Sequence, residues 1–173
     1  AQKQFSLLRK LQKNVPATWL ASLKKQADAF YKLWDKYKQV GQFVDVETGE
    51  ICIGGSTAGA IVPAGLALAS QTYGEKKYLY AAEGLAEKFY TDYVLKGYTT
   101  GGPGEILSTP DSESAFGLFE SYVTLYEVTG KKKWLEYAKD LLPICASWVV
   151  SYDFRFPEHS IMHQIDAHST GSV

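Results

Sequence analysis

At 173 residues the chain can enclose one sizeable core, and no stretch has the composition of a linker, so a single domain or part of one is expected. Aromatic residues make up 14%, with 12 Tyr and 4 Trp, which suits a filled helical core or a sugar-stacking surface equally. The net charge of −1 hides nine Lys or Arg against Asp28 and Asp35 within residues 1–40, a net of +7 there and −8 elsewhere; lysines on the wet face of outer helices account for this without a nucleic-acid partner.

The chain begins at Ala1 with neither Met nor a signal peptide, the pattern of a processed or trimmed product. Residues 3–13 predict a short amphipathic helix through Phe5, Leu8 and Leu11, which Pro16 punctuates. From Ala17 to about Val40, Leu20, Leu23, Ala27, Phe30, Trp34 and Tyr37 recur at spacings of three and four, with Lys24, Lys25, Lys32, Lys36 and Lys38 mostly elsewhere around the turn. That is an amphipathic outer helix. The segment 42–55 alternates in part and holds Thr48-Gly49, which predicts a loop or small β-hairpin. No residue from Ile51 to Gly74 is charged, yet Ser56, Thr57, Ser70, Gln71 and the glycines make a membrane span a poor reading. Residues 57–73 are expected as a buried, uncharged helix with Pro63 in its first turn or at a kink.

Glu75 to Val94 predicts a second amphipathic helix through Tyr78, Leu79, Ala82, Leu85, Ala86, Phe89, Tyr90 and Tyr93. After the Gly-rich loop 99–105, Pro110 and Asp111 supply helix-start chemistry. The helix they open is apolar on most sides until Gly130 ends it, as expected of a helix enclosed by others. Lys131 to about Val150 is the third amphipathic helix, with Trp134, Ala138, Leu141, Cys145 and Trp148 on one stripe and a bend expected at Pro143. Beyond Ser151 no period is readable. Cys52 and Cys145 are too few and too far apart for a metal site or a disulfide framework, and are read as buried thiols with a single bridge as the alternative.

An internal repeat underlies this pattern. Setting Gly74 on Gly130 superposes Tyr73-Gly-Glu-Lys-Lys-Tyr-Leu-Tyr-Ala-Ala82 on Thr129-Gly-Lys-Lys-Lys-Trp-Leu-Glu-Tyr-Ala138, an offset of 56. A fainter copy at offset 59 matches Trp19-Leu20, Ala27 and Phe30-Tyr31 with Tyr78-Leu79, Ala86 and Phe89-Tyr90. The period is too long for tetratricopeptide or HEAT-like arrays. Uncharged helices inside and lysine-bearing helices outside describe a double-layered ring.

Over residues 17–150 these runs resemble the repeat of the (α/α)₆ toroids, the six-hairpin glycosidase superfamily. The resemblance implies an all-α fold, an α/α toroid of helical hairpins. With about three hairpins of six, it also implies one partial domain over residues 1–173, with units near 17–73, 75–129 and 131–173. It further implies a bacterial polysaccharide-degrading enzyme that is secreted, periplasmic or at the cell surface, with no cofactor. If the ring is half made, its exposed flanks call for a second copy or the missing half, so self-association is expected.

Sugar hydrolysis needs two carboxyl groups flanking the scissile bond. In toroids of this kind the acids sit in loops and helix starts at one mouth of the ring, which makes Asp111 and Glu113 the leading catalytic candidates, with Glu105 in the loop before them. A capping acid has a lowered pKa, so Asp111 suits the ionised member or a sugar-hydroxyl ligand, and Glu113 or Glu105 the acid. The structural alternatives are an N-cap for Asp111 and favourable contact with the helix dipole for Glu113. Asp45 is a substrate-binding candidate by repeat logic, with Glu47 and Glu50 beside it and solvated hairpin acids as the plainer reading. Tyr98, Trp148 and Tyr152 could stack on sugar rings, Trp148 doubling as core, whereas Glu120 and Glu127 read as structural.

His159, His163 and His168 with Asp166 lack the H-E-x-x-H spacing and have no Cys nearby, so no metal is expected, and His159 and His163 are read as loop histidines that bind substrate or do nothing. No P-loop, nucleophile elbow or dinucleotide fingerprint is present. Three functions remain open: a glycoside hydrolase, a non-catalytic helical scaffold, and a polysaccharide lyase drawing on Arg155 with His159 or His163.

Overall fold

A computed structural model of the chain describes residues 2–11, 15–101 and 107–173. Within these it is mostly helical, with seven α-helices and one two-stranded sheet. Helix α1 spans Gln2–Leu11 and α2 spans Ala17–Tyr37, ending at Lys38, whose φ of 53° is left-handed. Strands β1 (Phe43–Val44) and β2 (Ile51–Ile53) pair antiparallel, Phe43 opposite Ile53 and Val44 opposite Ile51. Helix α3 covers Val62–Tyr73, later than the expected start at residue 57. Two causes set that start: Pro63 sits in the first turn, where its missing N–H costs nothing, and Thr57 is bonded to Thr100 instead of joining a helix.

Gly74 closes α3 at φ 70°, a left-handed turn that any side chain would strain, and α4 follows at Lys76–Asp92. A 3-10 turn at Val94–Lys96 leads into the 98–111 loop. Helix α5 spans Ser112–Thr129 and stops at Gly130, φ 69°. Helix α6, Lys133–Ala146, carries Pro143 within it, and α7 is a single turn at Ile161–Gln164.

Helix α3 packs against α4, α5 against α6, and α3 against α5; α1 lies on α3, and α2 touches both α3 and α4. The core between them is built from Leu66, Tyr78, Leu85, Leu118, Tyr122, Leu125, Trp134 and Leu141, all fully buried. Full burial of each such side chain contributes about 1.5–3 kcal/mol. Close approach is local and specific. At Gly84 a Cβ would lie 2.3 Å from Cζ2 of Trp34, so the absent side chain on α4 is what admits the α2 indole. Between α3 and α5 the buried Ser121 hydroxyl accepts the Ala64 N–H at 3.2 Å and donates to the Ala60 carbonyl at 2.6 Å. It thereby satisfies one of the N–H groups that the first turn of α3 leaves without an intrahelical partner.

Polar contacts tie the outward-facing helices. Asp28 of α2 accepts the Tyr78 hydroxyl at 2.6 Å and the Lys77 ammonium at 2.9 Å from α4. Glu87 of α4 accepts the Tyr137 hydroxyl at 2.6 Å and the Lys133 ammonium at 2.8 Å from α6. Tyr90 and Tyr137 stack at 3.5 Å between ring centroids.

Several expectations are corrected. Cys52 is exposed and unbridged, because Ile51 and Ile53 turn inward on β2 and the alternation sends the residue between them to solvent; Cys145 is buried and also free. Trp148 leaves the core stripe because α6 ends at Ala146. Glu120, on α5, pairs with Lys3 of α1, while Glu127 is exposed. No helix among the described residues is long and apolar enough to cross a membrane.

Candidate functional site

The turns at Gly74-Glu75 and Gly130–Lys132 are too short for anything but reversal, so α3 and α5 start at one end of the molecule and α4 and α6 finish there. The 3-10 turn after α4 touches α6 at that end. The hairpin before α3, the loop after α4, the start of α5 and the segment after α6 all emerge from it. Asp45, Tyr98, Asp111 and Glu113 therefore belong to this one end.

Its floor is pinned by threonines. The buried Thr57 hydroxyl donates to the Thr100 carbonyl at 2.6 Å and accepts the Thr100 N–H at 2.8 Å. Thr100 in turn donates its hydroxyl to the Thr109 carbonyl at 3.1 Å, and its backbone forms a bridge with Pro110. Gly101 lies so close to the α3 approach that a Cβ would be 3.0 Å from the Ala58 Cα, and its carbonyl accepts from Gln42 Nε2 at 3.4 Å. Hairpin, loop and helix start are thus one cross-linked floor.

Asp111 stands on that floor as the N-cap of α5, accepting the Ser114 N–H at 2.7 Å with one oxygen and the Ser114 hydroxyl with the other. Glu113 is in the first turn and exposed. Glu105 lies outside the described residues. Asp45 holds the hairpin turn together: one of its oxygens accepts the Thr48 N–H at 2.7 Å, the Thr48 hydroxyl at 2.9 Å and the Glu47 N–H at 3.0 Å. Those donors, the Thr48 N–H foremost, hold its carboxyl below the usual carboxylate range. Tyr98 meets Tyr93 edge to face and keeps an exposed ring.

No known protein family, curated protein or solved structure matches the chain. What the site can do therefore has to be read from its groups.

Residues 147–173, which follow α6, form a cluster of their own. Asp153 is their hub, with one oxygen accepting the N–H groups of Ser169 and Thr170 and the Thr170 hydroxyl, each at 2.9 Å. The other oxygen meets His168 Nδ1 at 3.0 Å. The Thr170 N–H and His168 are the leading causes that push this carboxyl far below its ordinary value, so it is ionised and can only accept; His168 must therefore carry its proton on Nδ1. Asp153 in turn raises the pKa of His168. The sequence shows His168 but gives no sign of its pairing with Asp153, since a contact across fifteen residues of aperiodic chain leaves no local signal.

An open cleft of about 690 Å³ beside this hub is lined by Phe154, Arg155, Glu158, His163, Asp166 and His168, among others. His163 therefore reaches a cleft. His159 is exposed outside its lining, and Tyr152 is exposed with its ring edge-on to Phe154. Among the described residues no three His, Cys, Asp or Glu side chains come together as metal ligands. The start of α5 thus offers carboxylates, and the final segment a fixed Asp–His pair, a cleft guanidinium and exposed aromatic rings, each of them suited to sugar hydroxyls or proton transfer.

Proposed function

We propose that the chain is part of an α/α toroid of the six-hairpin glycosidase kind, and that the end carrying the start of α5 binds and cleaves a carbohydrate through Asp111 and Glu113. One observation carries the reading: neighbouring helix pairs agree position by position. At an offset of 56, Tyr78 and Trp134, Ala82 and Ala138, Leu85 and Leu141, and Phe89 and Cys145 correspond, and all eight are buried. Asp28 and Glu87, offset by 59, each take the equivalent lysine of the next outer helix, Lys77 or Lys133, and a tyrosine hydroxyl from a different position, Tyr78 or Tyr137. Lys24 with Glu75, and Glu83 with Lys131, fill one further pair of positions with the charges exchanged. Helix α1, lying on α3, takes the place of a first inner helix.

Such pairs, each contacting its neighbours, build a curved two-layered array. A substrate of this kind places the enzyme outside the cytoplasm. The test is release of new reducing ends from a panel of plant and host polysaccharides. Release that Asp111→Asn and Glu113→Gln abolish, at unchanged melting temperature, supports the reading; undiminished release by both variants removes the two carboxylates from it.

A second reading, a polysaccharide lyase on the same ring, is favoured by the Asp153–His168 pair beside Arg155. Arg155 would neutralise a uronate carboxylate while His168 Nε2 takes the proton from the adjacent carbon. The C–H electrons would then form a carbon–carbon double bond as the glycosidic oxygen departs. Ultraviolet absorbance of the unsaturated product separates the two chemistries.

A further inference from the structure

Thr57 is entirely buried in the approach to α3, and Thr100, forty-three residues on, is buried with it. Valine has nearly the same shape and would fill the place with no polar group to satisfy. The hydroxyl is nevertheless present, and it is used twice on one residue. It donates to the Thr100 carbonyl at 2.6 Å and accepts the Thr100 N–H at 2.8 Å, while the Thr57 N–H reaches the same carbonyl at 2.5 Å. Such bonds fix both distance and direction, where apolar contact alone would let the two segments slide. We infer that Thr57 is a positioning residue, which through Thr100 sets where the Asp111 carboxylate stands. The inference rests on the carbohydrate reading above for what that carboxylate does.

The connection runs by two routes. Along the backbone, Thr100 is joined to the segment that enters α5. Its hydroxyl donates to the Thr109 carbonyl at 3.1 Å, the Gly101 N–H reaches that carbonyl at 3.3 Å, and Thr100 forms a bridge with Pro110. The Thr99 hydroxyl reaches the carbonyl of Asp111 itself at 3.5 Å. Through the side chains, a Cβ on Gly101 would lie 3.0 Å from the Ala58 Cα and 3.3 Å from the Ser114 Oγ. The loop is thus clasped between the residue after Thr57 and the residue that holds Asp111. Ser114, itself buried, donates its N–H to one oxygen of that carboxylate and its hydroxyl to the other.

A shift of Thr100 therefore moves Asp111 at its backbone and at its carboxylate together. The body of α5 is held separately, by its buried face and by the Ser121 bonds to α3. Removing the Thr57 hydroxyl should loosen the cap and leave the helix in place. A misplacement of about 1 Å costs on the order of 100-fold in rate. Thr57 has no exposed surface with which to touch a substrate, so its effect falls on turnover and not on binding.

Thr57→Val, Thr57→Ser and wild type are compared in two measurements. The first is amide exchange by NMR, in which no sugar is present. In Thr57→Val the Ser114 N–H should exchange about tenfold faster or more, while the Leu118 and Tyr122 amides keep their wild-type rates. Thr57→Ser should restore the slow Ser114 rate. The second is reducing-end release from xylan, polygalacturonate, hyaluronan and chondroitin sulfate. Thr57→Val should lower kcat about tenfold or more with KM within about threefold of wild type, and Thr57→Ser should recover most of the loss.

Unchanged Ser114 exchange in Thr57→Val, or quickening spread equally over α5, overturns the inference. So does turnover indifferent to Thr57→Val in a protein that Asp111→Asn inactivates, a result that leaves the carbohydrate reading standing. Release that is absent, or indifferent to Asp111→Asn, defeats that reading instead, and the exchange rates alone then decide whether Thr57 fixes the cap. If circular dichroism shows Thr57→Val to be unfolded, Thr100→Val takes its place with the same expectations and Thr100→Ser as its conservative partner, because it removes the hydroxyl bond to Thr109 and leaves both Thr57 hydroxyl bonds.

Discussion

Tyr78 of α4 donates its hydroxyl to the carboxylate of Asp28 on α2 at 2.6 Å, and Lys77 adds its ammonium at 2.9 Å. The hydroxyl first and the lysine second push the Asp28 carboxyl from its ordinary 3.8 down to about 2. A carboxyl whose folded pKa is depressed contributes stability that is fully present above the unfolded value and is lost as pH falls through the folded one. The stability difference between wild type and Asp28→Asn, read from urea midpoints, should therefore be constant above pH 4 and close as pH falls toward about 2. A difference independent of pH would show that Asp28 acts through shape and not charge.

The exchanged ion pairs give a direct test of positional equivalence. Glu83→Lys brings two cations together at Lys131 and should cost up to about 1 kcal/mol, the range of exposed pairs. Adding Lys131→Glu should restore most of it, since that combination reproduces the Lys24–Glu75 arrangement. Guanidinium midpoints of the four proteins in the cycle measure the coupling, and additive losses would count against equivalence.

Gly84→Ala should destabilise by about 1–3 kcal/mol through overpacking, because the new methyl would sit 2.3 Å from the Trp34 ring. Trp34→Phe removes the contacting ring edge, so the double variant should be more stable than the sum of the single losses implies. Thermal melts decide the sign of the coupling.

Much of the helical layout was legible in the residues themselves. Gly74 and Gly130 mark the stops, Asp111 marks the start of α5, and the Tyr78 and Trp134 stripes run at helical spacing into the core. These are local signals, carried by capping chemistry and by period. What escaped was non-local. The start of α3 depends on Thr57 bonding to Thr100, forty-three residues on, and the order of the final segment depends on Asp153 reaching Ser169 and Thr170. Asp45 looks like a ligand in sequence because nothing there shows that its carboxylate already serves the Thr48 turn.

Asp111 separates capping from chemistry by choice of variant. Asparagine caps a helix as well as aspartate does, whereas alanine abandons the Ser114 N–H and should cost about 0.5–2 kcal/mol. Asp111→Asn should thus melt like wild type and release no sugar, while Asp111→Ala loses both. Equal melting of all three proteins would deny the cap.

The Asp153–His168 pair has the opposite pH sign. With its folded pKa raised by Asp153, His168 favours the ordered segment below its ordinary value of 6.5, and that contribution is lost as pH rises through the folded value. Titration of the His168 ring protons by NMR should show the raised pKa, returning toward 6.5 in Asp153→Asn. Amide exchange across residues 153–170 should quicken in that variant, and unchanged exchange would mean that the hub does not order the segment.

The contrast between the two thiols makes the protein its own reporter. Cys145 is sealed in the interior, with burial raising its pKa, whereas Cys52 projects from the outer side of the hairpin. A maleimide dye will modify the native fold at one place only, beside the end where sugars are expected to enter. On the proposed reading, fluorescence anisotropy there would follow glycan capture without any engineered cysteine.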